Sequence, residues 1–232
     1  MDAFPWREPP LTEDEETDLF MLTLLDDDER PTWSFGGDLQ FWATSSFAQS
    51  LRSYAREQGL PWYVACMLPI AYSDTPLLHR MLIAPDTFVA FAPDRAREVF
   101  DAADEGSFPP FILEVTAAAS EGVDRHDKRR IYELLGAREY VIFTPRQGAS
   151  STLGGYRRNA SDRFVPWLPD SKGRLWSEVL GLYLIARGSL LQAQTPDGQL
   201  LLAPEQALTE LRRAGQENER LRRELEQYRD KS

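Results

Sequence analysis

Two carboxylates and one lysine stand where chemistry could be built. Asp86 follows Pro85 at the entrance to the apolar run Thr87–Phe91, and Glu114 lies inside the run Phe-Ile-Leu-Glu-Val-Thr at 111–116. An ionised carboxylate among aliphatic neighbours is costly unless a cation or a donor meets it. Taken alone, Asp86 reads as a turn residue at a strand start, and Glu114 as a residue on the wet face of an edge strand. Taken together on neighbouring strands, they can present oxygens to one hard divalent cation such as Mg2+, which binds through a few carboxylates plus waters and phosphate.

Lys128 is made informative by composition. Of 26 basic residues only Lys128, Lys172 and Lys231 are lysines, so most positive positions carry arginine. A retained lysine invites a specific reason, because its compact ammonium can meet a water or a developing phosphoryl charge where a flat guanidinium fits badly. The plainer alternative is a solvated helix lysine paired with Asp124, four residues earlier. Other chemistries find little support. His79 and His126 are the only histidines and Cys66 the only cysteine, too few for a histidine or thiolate metal cage. No Gly-x-Ser-x-Gly elbow supports a serine nucleophile. Trp33, Trp42, Trp62, Trp167 and Trp176 could stack bases, although core or rim packing is the better default in an α/β body.

These residues must be positioned by elements that the apolar spacing predicts. Asp38 is the expected N-cap of a helix in which Leu39, Trp42, Ala43, Phe47, Leu51 and Tyr54 recur at three- and four-residue intervals until Gly59. Strands are expected at Trp62–Leu68, Thr87–Phe91, Phe111–Thr116 and Tyr140–Phe143, with a helix from Asp124 to Leu135 closed by Gly136. Beyond Pro145 the texture is short strands and turns: Leu180–Ile185 and Leu200–Leu202 as strands, Gly154-Gly155 and Asp197-Gly198 as turn signals. The order predicts an α/β domain with a mixed central sheet flanked by helices. No strand is followed by G-x-G-x-x-G, so a dinucleotide fold fits poorly.

The net charge of −11 is concentrated in a tail. Residues 1–36 hold eleven acidic side chains against Arg7 and Arg30, which leaves the body nearly neutral and free to carry a local basic face. This lead-in is expected to be a flexible, solvated segment, with Leu19–Leu25 as a short docking helix. The α/β body is expected over 37–202 and a charged C-terminal helix over 203–232. With 42% hydrophobic and 27% charged residues, the composition is that of a globular chain with a real core. No apolar run is long enough to cross a bilayer, and a lone cysteine makes a reducing, cytoplasmic setting the default.

The arrangement Pro85-Asp86, Glu105-Gly106, Pro109-Pro110-Phe-Ile-Leu-Glu114-Val-Thr and Asp124-Arg-His-Asp-Lys128-Arg-Arg-Ile-Tyr132-Glu-Leu-Leu-Gly136-Ala-Arg-Glu139-Tyr140 resembles the Uma-type restriction endonuclease family of the PD-(D/E)XK nuclease superfamily. The likeness continues through Leu175-Trp176-Ser177-Glu178, Pro196-Asp-Gly198 and the C-terminal helix. It implies a metal-dependent endonuclease that hydrolyses DNA phosphodiester bonds, with a catalytically inactive DNA-binding or assembly protein of the same fold as the alternative. Asp86 and Glu114 are then ligands of Mg2+ or Mn2+, joined by the backbone carbonyl of Val115. The superfamily lysine two residues after the acid is replaced here by Thr116, and in Uma-type members the matching lysine lies on the next helix, at Lys128. Asp124 is expected to hold Lys128, and Glu57 to be an outer metal contact. The chain departs from the family pattern at Ala117-Ala118-Ala119-Ser120 and at Thr144-Pro145.

The C-terminal helix carries a heptad pattern. Leu211, Asn218 and Leu225 fall at a, and Ala207, Ala214, Leu221 and Tyr228 at d, with Glu217 and Glu224 at g and Arg222 and Arg229 at e. A polar asparagine at a favours a parallel pair in fixed register, so a homodimer is expected. Against it stand Gly215 and a length of about three heptads, which leave a single exposed or body-packed helix nearly as good a reading.

Overall fold

The computed structural model describes residues 37–72, 81–116 and 123–229, with residues 123–127, 225, 228 and 229 described by backbone alone. The expected docking helix at Leu19–Leu25, His79 and the Ala117–Ser120 turn lie outside the described residues, as do the side chains of Asp124 and His126.

Helix α1 spans Asp38–Gln58 and buries Ala43, Phe47, Leu51 and Ala55, an i, i+4 series that forms one stripe. Its N-cap is Gly37, which offers no side-chain hydrogen bond, and Asp38 lies instead in the first turn, where its charge suits the helix dipole. Gly59 ends the helix at φ +64°, and the Leu60 N–H returns to the Ala55 carbonyl at 2.8 Å. A glycine takes that left-handed turn without steric cost.

Six strands form the central sheet: β1 Tyr63–Cys66, β4 Thr87–Ala90, β6 Phe111–Val115, β7 Glu139–Thr144, β8 Thr152–Arg158 and β9 Phe164–Trp167. They lie in the order β1-β4-β6-β7-β8-β9. All neighbours are antiparallel except β6 and β7, which run parallel and are joined through helix α2, Val123–Leu134. The sheet is therefore mixed and helix-flanked, as the element order implied. Two small sheets complete the body. One holds β2 Ile70–Tyr72, β3 Met81–Ile83 and β5 Phe100–Asp101, and the other holds β10 Arg174–Ser177, β11 Leu182–Arg187 and β12 Leu190–Gln194. Helix α3 spans Pro204–Arg229.

Strand alternation divides the apolar residues into two cores. Phe111, Leu113, Val115, Val141 and Phe143 point to one face, where they pack with the α1 stripe and with Leu175, Leu182, Leu184 and Leu191 of the β10–β12 sheet. Ile112, Tyr140 and Ile142 point to the other, against Tyr132 of α2 and against Ile70 and Phe100 of the small sheet. Glu114 falls in phase with Ile112 and so faces α2. It lies on a central strand and is 4% exposed, which corrects the edge-strand reading.

Several expectations on the second half of the chain are corrected. Gly154 and Gly155 do not turn but run inside β8, and position 155 needs glycine because a Cβ there would meet the Tyr140 carbonyl oxygen at 2.1 Å. The strands at 180–185 and 200–202 become β11, two residues later, and a single bridge between Gln194 and Leu200. The Asp197-Gly198 turn is present, with Gly198 at φ +99° and its N–H bonded to the Thr195 carbonyl.

Candidate active site

The ladder between β4 and β6 ends at the pair Thr87↔Leu113, so continuing the register sets Asp86 opposite Glu114. Proline at 85 has no N–H to extend the strand pairing. The Val115 N–H, beyond the last rung, is met instead by the Asp86 side chain: it donates to Oδ2 at 2.7 Å. Gln40, in the first turn of α1, donates from Nε2 to Oδ1 at 3.1 Å and to Oδ2 at 3.3 Å. The Asp86 carbonyl accepts from Met67 N–H at 3.0 Å, tying the approach to β4 to the end of β1.

Glu114 is held from α2. Lys128 Nζ donates to Oε2 at 3.1 Å, and Tyr132 Oη, one turn later on the same helix face, donates to Oε1 at 2.6 Å. The helix is fixed at its far end by Glu133, which accepts from the Phe164 N–H at 2.7 Å and from Arg163 Nε at 3.1 Å. These bonds anchor α2 to the β8–β9 hairpin and set the height of Lys128 and Tyr132 over the sheet.

Burial pushes the Glu114 carboxyl up to about 7, opposed by the nearby Lys128 charge and reinforced by that of Asp86. Tyr132 is fully buried beside a carboxylate, and its phenol is held well above the usual range, so it remains a donor. Cys66, within reach of the Arg52 and Asp86 charges, is a poor nucleophile, because burial pushes its thiol up to about 11.

The structure thus brings Asp86, Glu114, Lys128 and the Val115 backbone into one cluster at the ends of β4 and β6. Glu57 is not part of it. It is exposed in the last turn of α1, while the helix reaches Asp86 through Gln40, about 25 Å away along the axis at ~1.5 Å per residue. Gln40 and Tyr132 were not anticipated. Tyr132 had a signal, its i+4 spacing from Lys128; Gln40 had none, because its partner is 46 residues distant. At the same ends of β6 and β7, Thr116 and Thr144 hydroxyls lie 2.9 Å apart, so the position two residues after Glu114 is taken by a threonine paired with another. Trp62 and Trp167 are core residues, whereas Trp42 is half exposed.

The cluster can take a cation. Two carboxylates occupy opposite register positions on adjoining strands, and the Asp86 charge adds to burial in disfavouring the Glu114 anion, so a positive charge near both is favourable. Each oxygen is oriented by a protein donor yet retains lone-pair capacity. Among the described residues no group of three or more His, Cys, Asp or Glu is placed to hold a metal.

No curated protein matches the sequence. The profile of the Uma2 family, described as "Putative restriction endonuclease", matches residues 29–172. That span is more than half of the chain and includes Asp86, Glu114, Lys128 and the whole six-stranded sheet. With the acid pair and its lysine set at the ends of a mixed, helix-flanked sheet, the chain belongs to the Uma2 restriction endonuclease family.

Proposed function

We propose that this protein is an endonuclease that hydrolyses DNA phosphodiester bonds with Mg2+ or Mn2+ held by Asp86, Glu114 and the Val115 backbone carbonyl. The observation that carries the reading is Glu114, a buried acid opposite a second acid, with a lysine amine 3.1 Å from one of its oxygens. Such a constellation costs stability in an unliganded fold, which is the mark of a site built for a charged reactant.

When bound, the divalent ion supplies Lewis-acid stabilisation of phosphoryl oxygen and makes water a better nucleophile. The protein's own groups do the rest. Val115 N–H and Gln40 fix the Asp86 carboxylate in one rotamer, so its oxygens need no reorganisation. Tyr132 holds Oε1 of Glu114 and Lys128 holds Oε2. Lys128, one-third exposed, presents an ammonium that can orient water and oppose the negative charge that grows on the phosphoryl group. Its long stem lets it stay paired with Glu114 in the free protein and follow the charge during reaction.

The test is cleavage of supercoiled DNA with Mg2+ or Mn2+, stopped by EDTA. Asp86→Ala, Glu114→Ala and Lys128→Ala should each remove most activity while the far-UV spectrum is retained, and the losses should not add. Lys128→Arg should also be severely impaired, since the fork cannot take the ammonium's place. Full activity in Glu114→Ala contradicts the mechanism. Tight DNA binding without cleavage by any variant or by the parent protein favours the inactive DNA-binding alternative.

A further inference from the structure

Helix α3 leaves the body with much apolar surface uncovered. Its base is fixed, because Leu201 and Ala203 are buried and Gln206 Oε1 accepts from the Ala203 N–H at 3.1 Å. From Ala207 to Glu224 every residue is exposed, with Leu208, Leu211 and Leu221 at 48%, 70% and 44%. The helix has 26 residues, about 39 Å at ~1.5 Å per residue. Such a helix with Gly215 inside it is only marginally stable in water without a partner. It also lies beyond the residues matched to the family.

Its charges identify the occupant. Arg213, Arg220 and Arg223 pair with glutamates of their own helix, at 3.1, 2.7 and 3.5 Å. Arg222, at an e position, has no ion-pair partner among the described residues. In a parallel pair of these helices, Glu217, which also bonds Arg220 of its own helix, comes level with Arg222 of the other copy. In an antiparallel pair, glutamates at g meet glutamates and arginines at e meet arginines. Asn218 at a can hydrogen-bond its own counterpart only in the parallel register. The acidic segment of the chain's own first 36 residues offers no such match to a helix of balanced charge.

We infer that α3 forms a parallel two-stranded coiled coil with a second copy of this chain, with Leu211, Asn218 and Leu225 at a and Ala214, Leu221 and Tyr228 at d. The inference is independent of the nuclease reading. Sedimentation equilibrium on the full chain tests it. The parent protein should pass from monomer to dimer across the micromolar to near-millimolar range, with helical signal rising in step. Leu221→Glu should weaken association by at least about a hundredfold. Glu217→Arg alone should weaken it by about tenfold, and adding Arg222→Glu should restore it. For orientation, Leu211→Cys in a Cys66→Ser chain should oxidise to a 211–211 linked dimer, which an antiparallel pair cannot form. A monomeric mass over the whole range, or a dimer untouched by Leu221→Glu, overturns the inference. A dimer that fails to cross-link at 211 overturns the parallel register.

Discussion

Tyr132 Oη lies 2.6 Å from Oε1 of Glu114, and both groups are buried. A phenol kept protonated by burial is a permanent donor, so it favours the ionised carboxylate, the form a cation needs. Tyr132→Phe removes that donor without changing shape. The Glu114 carboxyl should then rise above its present value of about 7. At limiting metal, the acid limb of the pH–rate profile should move to higher pH, with activity recovering at alkaline pH. A uniform loss of rate with an unmoved limb would show that the tyrosine acts on packing alone.

Glu114 also links stability to pH. Its ordinary value is 4.5 and its folded value about 7, so between these two the folded state holds a proton that the unfolded chain has lost. Stability from this group is complete below the lower value and is lost as pH rises through the upper one. Metal-free protein should therefore lose stability across that window. Glu114→Gln should flatten this part of the curve and be more stable above neutrality, by an amount on the order of 3 kcal/mol. Denaturant titrations at acidic and alkaline pH measure it; identical pH slopes in the two proteins would contradict the assignment.

Gly155→Ala tests the close approach of β8 to β7. The added methyl meets the Tyr140 carbonyl oxygen at 2.1 Å, and backbone on both sides must yield. The cost should be about 3 kcal/mol or more, at or above the upper end of overpacking penalties, read as a fall in thermal midpoint. A neutral substitution would mean that the strands separate there at no cost.

Deleting residues 1–30 removes eleven acidic side chains with Arg7 and Arg30. DNA affinity at low salt should rise, and the gain should fade as salt is added. Unchanged affinity at low salt would place that segment far from the DNA-binding face.

Much of the candidate site's geometry was legible in the chain because its parts are local. Pro85 before Asp86, the alternation through Glu114 and the rarity of lysine each point to one residue, and the parallel β6–β7 pair with its connecting helix brings them together. Gln40 was not legible, since its bond to Asp86 depends on where α1 crosses the sheet, a tertiary outcome with no sequence period. Strands β2, β3 and β5 were missed for a related reason. Each is two or three residues long, too short for alternation to register, and exists because Ile70 and Phe100 fill the second core. Gly154-Gly155 misled because glycine marks both turns and close strand contacts, and only the neighbouring backbone of Tyr140 distinguishes them.

The central claim is that Asp86 and Glu114 make one cation site that drives cleavage. Titration of Mn2+ into folded wild-type protein, Asp86→Asn and Glu114→Gln, followed by calorimetry and by cleavage of supercoiled DNA in the same samples, tests it most directly. The account predicts one principal Mn2+ site per chain in the wild type, loss of that site in both variants, and cleavage that tracks its occupancy. Undiminished Mn2+ binding in either variant, or cleavage by wild type that persists in EDTA, would contradict it.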